Sequence, residues 1–270
     1  MREFTRHGVT MSDLGVAVVI EDDGDMRSLL EAVLGQAGFE VHSAADGREG
    51  VEIVREHHAN VVTLDVGLPD IDGFEVLRRI RNFSDAYVVM LTGRTEEPDL
   101  LMALHAGADD YIAKPFRPRE LRARVAAMMR RPRRPAEGER PTSAPAQTAV
   151  ATAQQDSAVL RHNGLDLNRK THSVMVRGES LGLTRSEFDL LHELLRGGGA
   201  VSTKADLVRV VRGDYYEENT YISEADERAV EVHIGNLRRK LREDPQSPRW
   251  LQTVRGVGYR LAPLKPDETA

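Results

Sequence analysis

Between residues 16 and 130, short β-rich apolar runs alternate five times with segments of helical period. The order is VAVVI (16–20) then 25–37, FEVHSA (39–44) then 46–57, NVVTL (60–64) then 73–81, YVVML (87–91) then about 96–105, and DYIA (110–113) then 118–130. Strands that read as nearly continuous Val, Ile and Leu are buried on both faces, so helices must cover both sides of the sheet. This pattern predicts an α/β fold with a doubly wound, five-stranded parallel sheet. In such sheets ligands bind beyond the carboxyl ends of the strands.

The residues at those ends are Glu21 and Asp22 after the first run, Asp65 after the third, Thr92 after the fourth and Lys114 after the fifth. Three converging carboxylates repel one another unless a cation joins them, and an all-oxygen donor set favours Mg²⁺, with Mn²⁺ as the alternative, over zinc. A carboxylate held in this way can attack phosphorus, while a lysine neutralises the phosphoryl oxygens and a hydroxyl donates to one of them. Each residue alone could be a helix cap or a solvated side chain. Five complementary groups at successive strand ends fit that plainer reading poorly. Asp25 is expected to cap the first helix with Asp23 pointing along it, Asp70 and Asp72 to be turn and N-cap residues, and His57 and His58 to lie on the surface without chemistry.

Residues 132–158, PRRPAEGERPTSAPAQTAVATAQQDSA, are rich in Pro, Ala, Ser, Thr and Gln and almost free of large apolar side chains. Such a segment cannot bury enough surface to order itself, and it reads as a flexible linker. Beyond it, 159–162, 165–167 and 173–176 alternate apolar and polar residues as a small antiparallel sheet would. Thr184-Arg-Ser-Glu187 is a capping-box pattern opening a helix to about Arg196, which Gly197 to Gly199 end. A short helix follows at about 203–212. From Arg228 to Leu241, Val230, Ile234, Leu237 and Leu241 share one helical face, and WLQTV-RGVG-YRL then reads as a hairpin with Arg255 near its tip. Three helices and a hairpin, with the last helix basic, suggest a helix-turn-helix with a wing.

Charge follows the same division. Residues 1–130 carry 15 Lys/Arg against 23 Asp/Glu, and residues 131–270 carry 22 against 20. Residues 214–227 hold six acids and no base, whereas 228–260 hold eight bases and three acids. A basic stretch on an acidic chain suits attraction to phosphates. The chain has no cysteine, which excludes disulfides, thiol nucleophiles and Cys-ligated zinc, and a reducing, cytoplasmic setting fits. With a mean hydropathy of −0.42 and no long apolar run, no membrane partner is expected. The polar N-terminus does not read as a secretory signal, and Met11 offers an alternative start.

VVIEDDGDMR (18–27), LDVGLPDIDGFEVLRRIR (64–81), MLTGR (90–94) and GADDYIAKPF (107–116) resemble the receiver domain of two-component response regulators. LTRSEFDLLHELL (183–195), ERAVEVHIGNLRRKL (227–241) and TVRGVGYRL (253–261) resemble the winged-helix DNA-binding domain of the OmpR/PhoB family. The resemblance implies a flavodoxin-like receiver at 15–131 and an α+β winged helix-turn-helix domain at 159–263. Residues 1–14 would form an extension and 264–270 a tail.

By that resemblance, Asp65 accepts phosphate from a sensor histidine kinase. Glu21, Asp22, Asp65 and the Gly67 carbonyl would hold Mg²⁺, Thr92 and Tyr111 would form the switch pair, and Lys114, before a typically cis Pro115, would pair with the phosphoryl group. Phosphorylation would favour a homodimer on promoter DNA. Asp109, Asp110, Glu120, Arg124 and Arg131 match the family's interface network, while Leu100 replaces its usual basic residue and leaves Glu120 without that partner.

On DNA, Arg228, His233, Arg238, Arg239, Thr253 and Tyr259 would grip phosphates and Arg255 would enter the minor groove. Val232, Gly235 and Asn236 would read bases, which suggests an A/T-leaning half-site. The acidic 213–227 segment sits where relatives contact RNA polymerase. Two rivals are a haloacid-dehalogenase-type phosphatase, which needs a second Asp where Gly67 stands, and a DNA-binding regulator whose receiver is a phosphorylation-independent dimerisation module.

Overall fold

Five apolar runs become five parallel strands because each is followed by a helix long enough to return the chain to the same edge of the sheet. In the computed structural model, residues 14–93, 97–129, 159–212, 222–244 and 246–265 are described, without the side chains of residues 97–100 and 127. The chain divides into two compact units, the first made of the residues up to Met129 with Arg212–Thr220, the second of Arg130–Val211 and Tyr221–Ala270. The expected linker at 132–158, the acidic stretch as far as 221, and Arg131 lie outside the described residues, as does the Leu100 side chain.

In the first unit the order is β1 (Val16–Ile20), α1 (Gly24–Gln36), β2 (Glu40–Ala44), α2 (Gly47–Glu56), β3 (Val61–Asp65), α3 (Gly73–Arg81), β4 (Tyr87–Thr92), α4 (Glu97–His105), β5 (Asp110–Ala113) and α5 (Pro118–Met129). The strands are ordered β2-β1-β3-β4-β5, all parallel. Winding therefore reverses between β1 and β3, and the crevice at that switch point is where a doubly wound sheet receives its ligand.

Alternation along the strands builds two cores. Ala17, Val19, Val89 and Leu91 meet Leu30, Leu34, Leu121 and Val125 on one face, while Val18, Ile20, Val62, Leu64 and Met90 meet Val54, Val76, Leu77 and Ile80 on the other. Truncating one of these fully buried leucines to alanine costs about 2–5 kcal/mol.

Each of the first three helices opens on an aspartate that accepts a backbone N–H. Asp23 Oδ1 accepts from Met26 at 2.8 Å, Asp46 from Glu49 at 2.9 Å and Asp72 from Glu75 at 2.8 Å. The expected cap of α1, Asp25, is thus corrected to Asp23, and Asp25 instead lies in the first turn. The two aspartates are two residues apart, and only the one with extended backbone geometry can cap.

In the second unit β6 (Val159–His162), β7 (Leu165–Asn168), β8 (Ser173–Val176) and β9 (Glu179–Leu181) form an antiparallel sheet. Then come α6 (Arg185–Arg196), β10 (Ser202–Thr203), α7 (Lys204–Arg212), α8 (Glu224–Leu241), β11 (Leu251–Val254) and β12 (Gly258–Leu261), with the last sheet ordered β10-β12-β11. Leu190, Leu191, Leu194, Leu207, Val230, Ile234, Leu237, Trp250 and Leu251 make one core.

The capping box opening α6 is present. Glu187 Oε2 accepts from Thr184 N at 2.8 Å, and Thr184 Oγ1 from Glu187 N at 3.4 Å. The last helix starts one turn before the expected Arg228, because Ser223 and Asp226 form a second capping box.

Candidate functional site

At the carboxyl edge of the first sheet, ligand oxygens of Glu21, Asp22 and Asp65 lie within 4.8 Å of one another. Glu21 follows β1 and is buried, Asp65 ends β3, and Asp22 is exposed. From β5, Lys114 brings Nζ to 2.7 Å from Glu21 Oε2 and 2.8 Å from Asp65 Oδ1. The Lys114–Pro115 peptide is cis. The other carboxylate oxygen of Asp65, Oδ2, accepts from the Gly67 N–H at 3.0 Å, so both oxygens of this side chain are oriented. Thr92 ends β4 and is buried, next in the chain to Leu91, the register partner of Asp65.

The charges are only partly balanced. Burial, reinforced by Asp65 and Asp22, pushes the Glu21 carboxyl above the usual carboxylate range although Lys114 bonds to it. Lys114 also loses solvation, yet its bonds to Asp65 and Glu21 outweigh this and hold its ammonium above the ordinary lysine value. One ammonium among three acids leaves room for further positive charge.

The loop after Asp65 is shaped by close backbone packing. A Cβ on Gly73 would run into the Asp65 carbonyl oxygen and the Val66 Cα, and the Gly73 N–H donates to the Val66 carbonyl at 3.0 Å. Asp70 accepts from Gly47 N and Arg48 N at 2.8 and 3.0 Å, pinning this loop to the start of α2. Its carboxyl loses some solvation, but these backbone donors hold it below its usual range. The acid expected to be a turn residue thus also serves a second helix.

In the second unit, α8 and the hairpin are joined by Arg238. Its Nη2 donates to Thr253 Oγ1 at 2.8 Å and to the Leu251 carbonyl at 3.1 Å, and its guanidinium lies over the Tyr259 ring at 5.7 Å. Three of the expected DNA-contacting residues are therefore brought together. Arg255 and Gly256 are exposed at the turn, where Gly256 takes a left-handed φ of 75°. Gly235 and Arg239 are exposed on α8, and Arg228 is half-buried. Val232, His233 and Asn236 are buried, at 7%, 1% and 2% exposure, rather than exposed as expected of DNA-contacting residues. Asn236 Oδ1 also accepts from Arg239 Nη2 at 2.7 Å.

The family models decide what this combination is. Residues 17–126 match the response regulator receiver domain, and residues 178–261 match the C-terminal domain of transcriptional regulatory proteins. The chain belongs to the OmpR/PhoB-type response regulators. The transcriptional regulatory protein AfsQ1 of Streptomyces coelicolor is 39% identical over 246 residues, covering 91% of this chain and 97% of the relative. The DNA-binding response regulator MtrA of Mycobacterium tuberculosis is 37% identical, covering 91% and 96%. A solved structure of a RitR mutant shares the fold, with a TM-score of 0.65 at 22% identity, over 92% of this chain and 99% of that one. This response regulator therefore combines a receiver with a DNA-binding domain for transcriptional regulation in a two-component system. Among the described residues no helix is long and apolar enough to cross a membrane.

Several charged residues of the response regulator stand elsewhere than expected. Asp109 was assigned to a dimer face, but its carboxylate is fully buried. Its Oδ2 meets Arg81 Nη2 at 2.6 Å and accepts from Val88 N at 3.0 Å. A buried carboxylate needs such partners, and here they lie inside the domain. Asp110 and Arg124 pair at 2.9 Å, and Arg124 also reaches Glu120 at 2.9 Å. Asp110 is desolvated, yet Arg124 keeps its carboxyl below the ordinary range. Tyr111, the expected aromatic half of the switch pair, is half-buried on β5.

Sequence reasoning missed two relationships. Lys240, which could have been part of a solvated basic face, has its Nζ 2.6 Å from the buried Glu187. His57, given no chemistry, stacks on His42 with ring centroids 3.6 Å apart. The i, i+2 spacing of Glu40 and His42 on β2 was the available signal for the second.

Proposed function

We propose that this response regulator binds promoter DNA as a homodimer when Asp65 is phosphorylated by a sensor histidine kinase. The observation that supports this most directly is Lys114 Nζ bridging Glu21 and Asp65 at 2.7 and 2.8 Å, beside a third carboxylate at the switch point of the sheet. Three oxygen donors suit a hard divalent cation. Mg²⁺, or Mn²⁺, held by Glu21, Asp22, Asp65 and the Gly67 carbonyl, would supply positive charge to the phosphoryl oxygens when bound.

The rest of the chemistry falls to the chain. An Asp65 carboxylate oxygen attacks the phosphorus of a phosphohistidine donor, forming the P–O bond as the P–N bond breaks with its electron pair returning to the imidazole. Lys114 is charged and already beside the attacking oxygen, so it is placed to pair with the transferred group. Thr92 donates its hydroxyl to a phosphoryl oxygen, and Tyr111 follows into the space that Thr92 leaves.

Dimerisation then raises the effective concentration of two DNA-binding domains on tandem half-sites. Glu120 and Arg124 supply charge on the β5–α5 side, where Asp110 orients Arg124, with Arg131 as a further charge and Leu100 as an apolar contact. Arg228, Arg238, Arg239, Thr253 and Tyr259 hold phosphates, with His233 as a further contributor. Arg255 enters the minor groove, and Val232, Gly235 and Asn236 face bases. RNA polymerase is the partner of the acidic segment before α8.

Sedimentation velocity with Mg²⁺, with and without beryllofluoride as the phosphoryl mimic, tests this reading. Wild type is expected to shift from monomer to dimer while Asp65→Asn does not. If neither protein shifts, or both are dimers throughout, phosphorylation-driven assembly is wrong.

A further inference from the structure

Among the described residues, two clusters of three carboxylate or imidazole side chains have ligand atoms within 4.8 Å of one another. One is the acidic group around Asp65 and the other is Glu40, His42 and His57. The second lies apart from the phosphorylation chemistry. Glu40 is paired in register with Val16 at the amino end of β1, whereas Glu21 and Asp22 follow the carboxyl end of that strand.

Two elements create the cluster. Strand β2 is the edge of the sheet, and its period of two sets Glu40 and His42 on one face. His57 is the C-cap of α2, with its N–H donating to the Ile53 carbonyl at 3.0 Å, so its ring is delivered by the end of a rigid helix. His42 Nε2 lies 3.0 Å from Glu40 Oε1, and the two imidazole rings stack with an interplanar angle of 21°. Both histidines are half-buried and Glu40 is exposed.

From this geometry we infer that Glu40, His42 and His57 form a binding site for a borderline divalent transition ion of the Zn²⁺ class. Two imidazole nitrogens and one carboxylate oxygen are the wrong set for Mg²⁺ or Ca²⁺, which prefer oxygen alone, and the right set for zinc. A tetrahedral ion with bonds of about 2.0–2.2 Å needs its donors about 3.4 Å apart. Donor atoms already within 4.8 Å reach that separation by side-chain rotation, with the stacked rings fanning apart so that both nitrogens point at one ion. The exposed side of Glu40 leaves the fourth position to water. Such an ion would tie the edge strand to the end of α2.

The test is calorimetric titration of the full chain with ZnCl₂ in excess Mg²⁺, alongside the visible spectrum of the Co²⁺-loaded protein. Wild type is expected to bind one zinc through these residues and to give the intense absorption of four-coordinate cobalt. His42→Gln and His57→Gln, both at half-buried positions, and Glu40→Gln, at an exposed one, should each weaken that event by at least about 10–100-fold, the loss that even outer-shell changes produce. His58→Gln, next in sequence but outside the cluster, should leave it intact. Zinc affinity unchanged in both His42→Gln and His57→Gln, or no zinc binding by wild type at millimolar concentration, would overturn the proposal.

Discussion

The ammonium of Lys240, near the end of α8, lies 2.6 Å from a carboxylate oxygen of Glu187 in the first turn of α6, and that carboxylate is almost wholly buried. The same oxygen accepts the N–H of Thr184, so one buried acid closes a capping box and anchors α8 to the domain core. Removing Lys240 leaves Glu187 with its cap but without its counter-charge. Lys240→Met is therefore expected to destabilise the C-terminal domain by about 1–2 kcal/mol, less than a fully buried pair would cost because the lysine is partly exposed. Urea unfolding of wild type and of both Lys240→Met and Glu187→Gln measures it, and Glu187→Gln should cost no less, since it also weakens the cap.

Arg124 is the main counter-charge for the buried Asp110. Arg124→Ala should cost about 3–5 kcal/mol, because it strands a carboxylate away from water. Since Asp110 titrates below its ordinary range when folded, its contribution is present above the unfolded value near pH 4. It fades as pH falls through the lower folded value. A urea midpoint measured in the Asp110→Asn, Arg124→Met double variant should recover much of the loss.

Two histidines give the C-terminal domain its own pH dependence. Burial lowers the value of His162, outweighing its bond to the Ala262 carbonyl at 2.9 Å, and burial with nearby Arg169 lowers that of His192. The unfolded chain then binds more protons than the folded one just below the ordinary histidine value of about 6.5, so stability present at pH 7.5 should decline as pH drops through 6.5. Thermal melts from pH 7.5 to 5.5 should show the decline in wild type and a shallower one in His162→Gln.

Arg238 holds the wing and is also a phosphate contact in the proposed complex, and the two roles separate by salt dependence. Arg238→Ala should weaken DNA binding and reduce the slope of log K against log salt by about one. Thr253→Val removes a neutral hydroxyl that accepts from Arg238 at 2.8 Å and is itself a proposed phosphate contact, so it should cost about 0.5–1.5 kcal/mol of affinity with the slope unchanged. Fluorescence anisotropy across a salt series distinguishes them.

Lys114→Gln should still accept a phosphoryl group on Asp65 but at a rate lowered by roughly 10²–10³-fold, the scale for losing one preorganised electrostatic partner. Because Lys114 titrates above its ordinary value, the wild-type rate should not fall between pH 7 and 9 through loss of its charge. Labelling with radioactive acetyl phosphate follows both.

Much of the acidic site was legible in the sequence. A parallel sheet sends all its strand ends to one edge, so finding five apolar runs was enough to collect Glu21, Asp22, Asp65, Thr92 and Lys114. The capping box at Thr184 was equally readable, since both its members lie within one turn. The second one, at Ser223 and Asp226, was absorbed into an acidic stretch because Asp226 looked like one more acid. Strands β9 and β10, of three and two residues, are too short to show a period. The ion pairs Arg81–Asp109 and Lys240–Glu187 join residues 28 and 53 apart, and no local pattern announces a contact that only the finished fold creates.

The missing side chain at Gly73 has a consequence for how such a protein can change. Helix α3 rests directly on the backbone of Asp65, with no side chain between them. The spacing of those two parts is therefore set by main-chain atoms, which substitution cannot resize. Exposed positions along α3 can drift while the Asp65 backbone keeps its place. One absent methyl group thus insulates the strand-end carboxylates from changes on the outer face of α3.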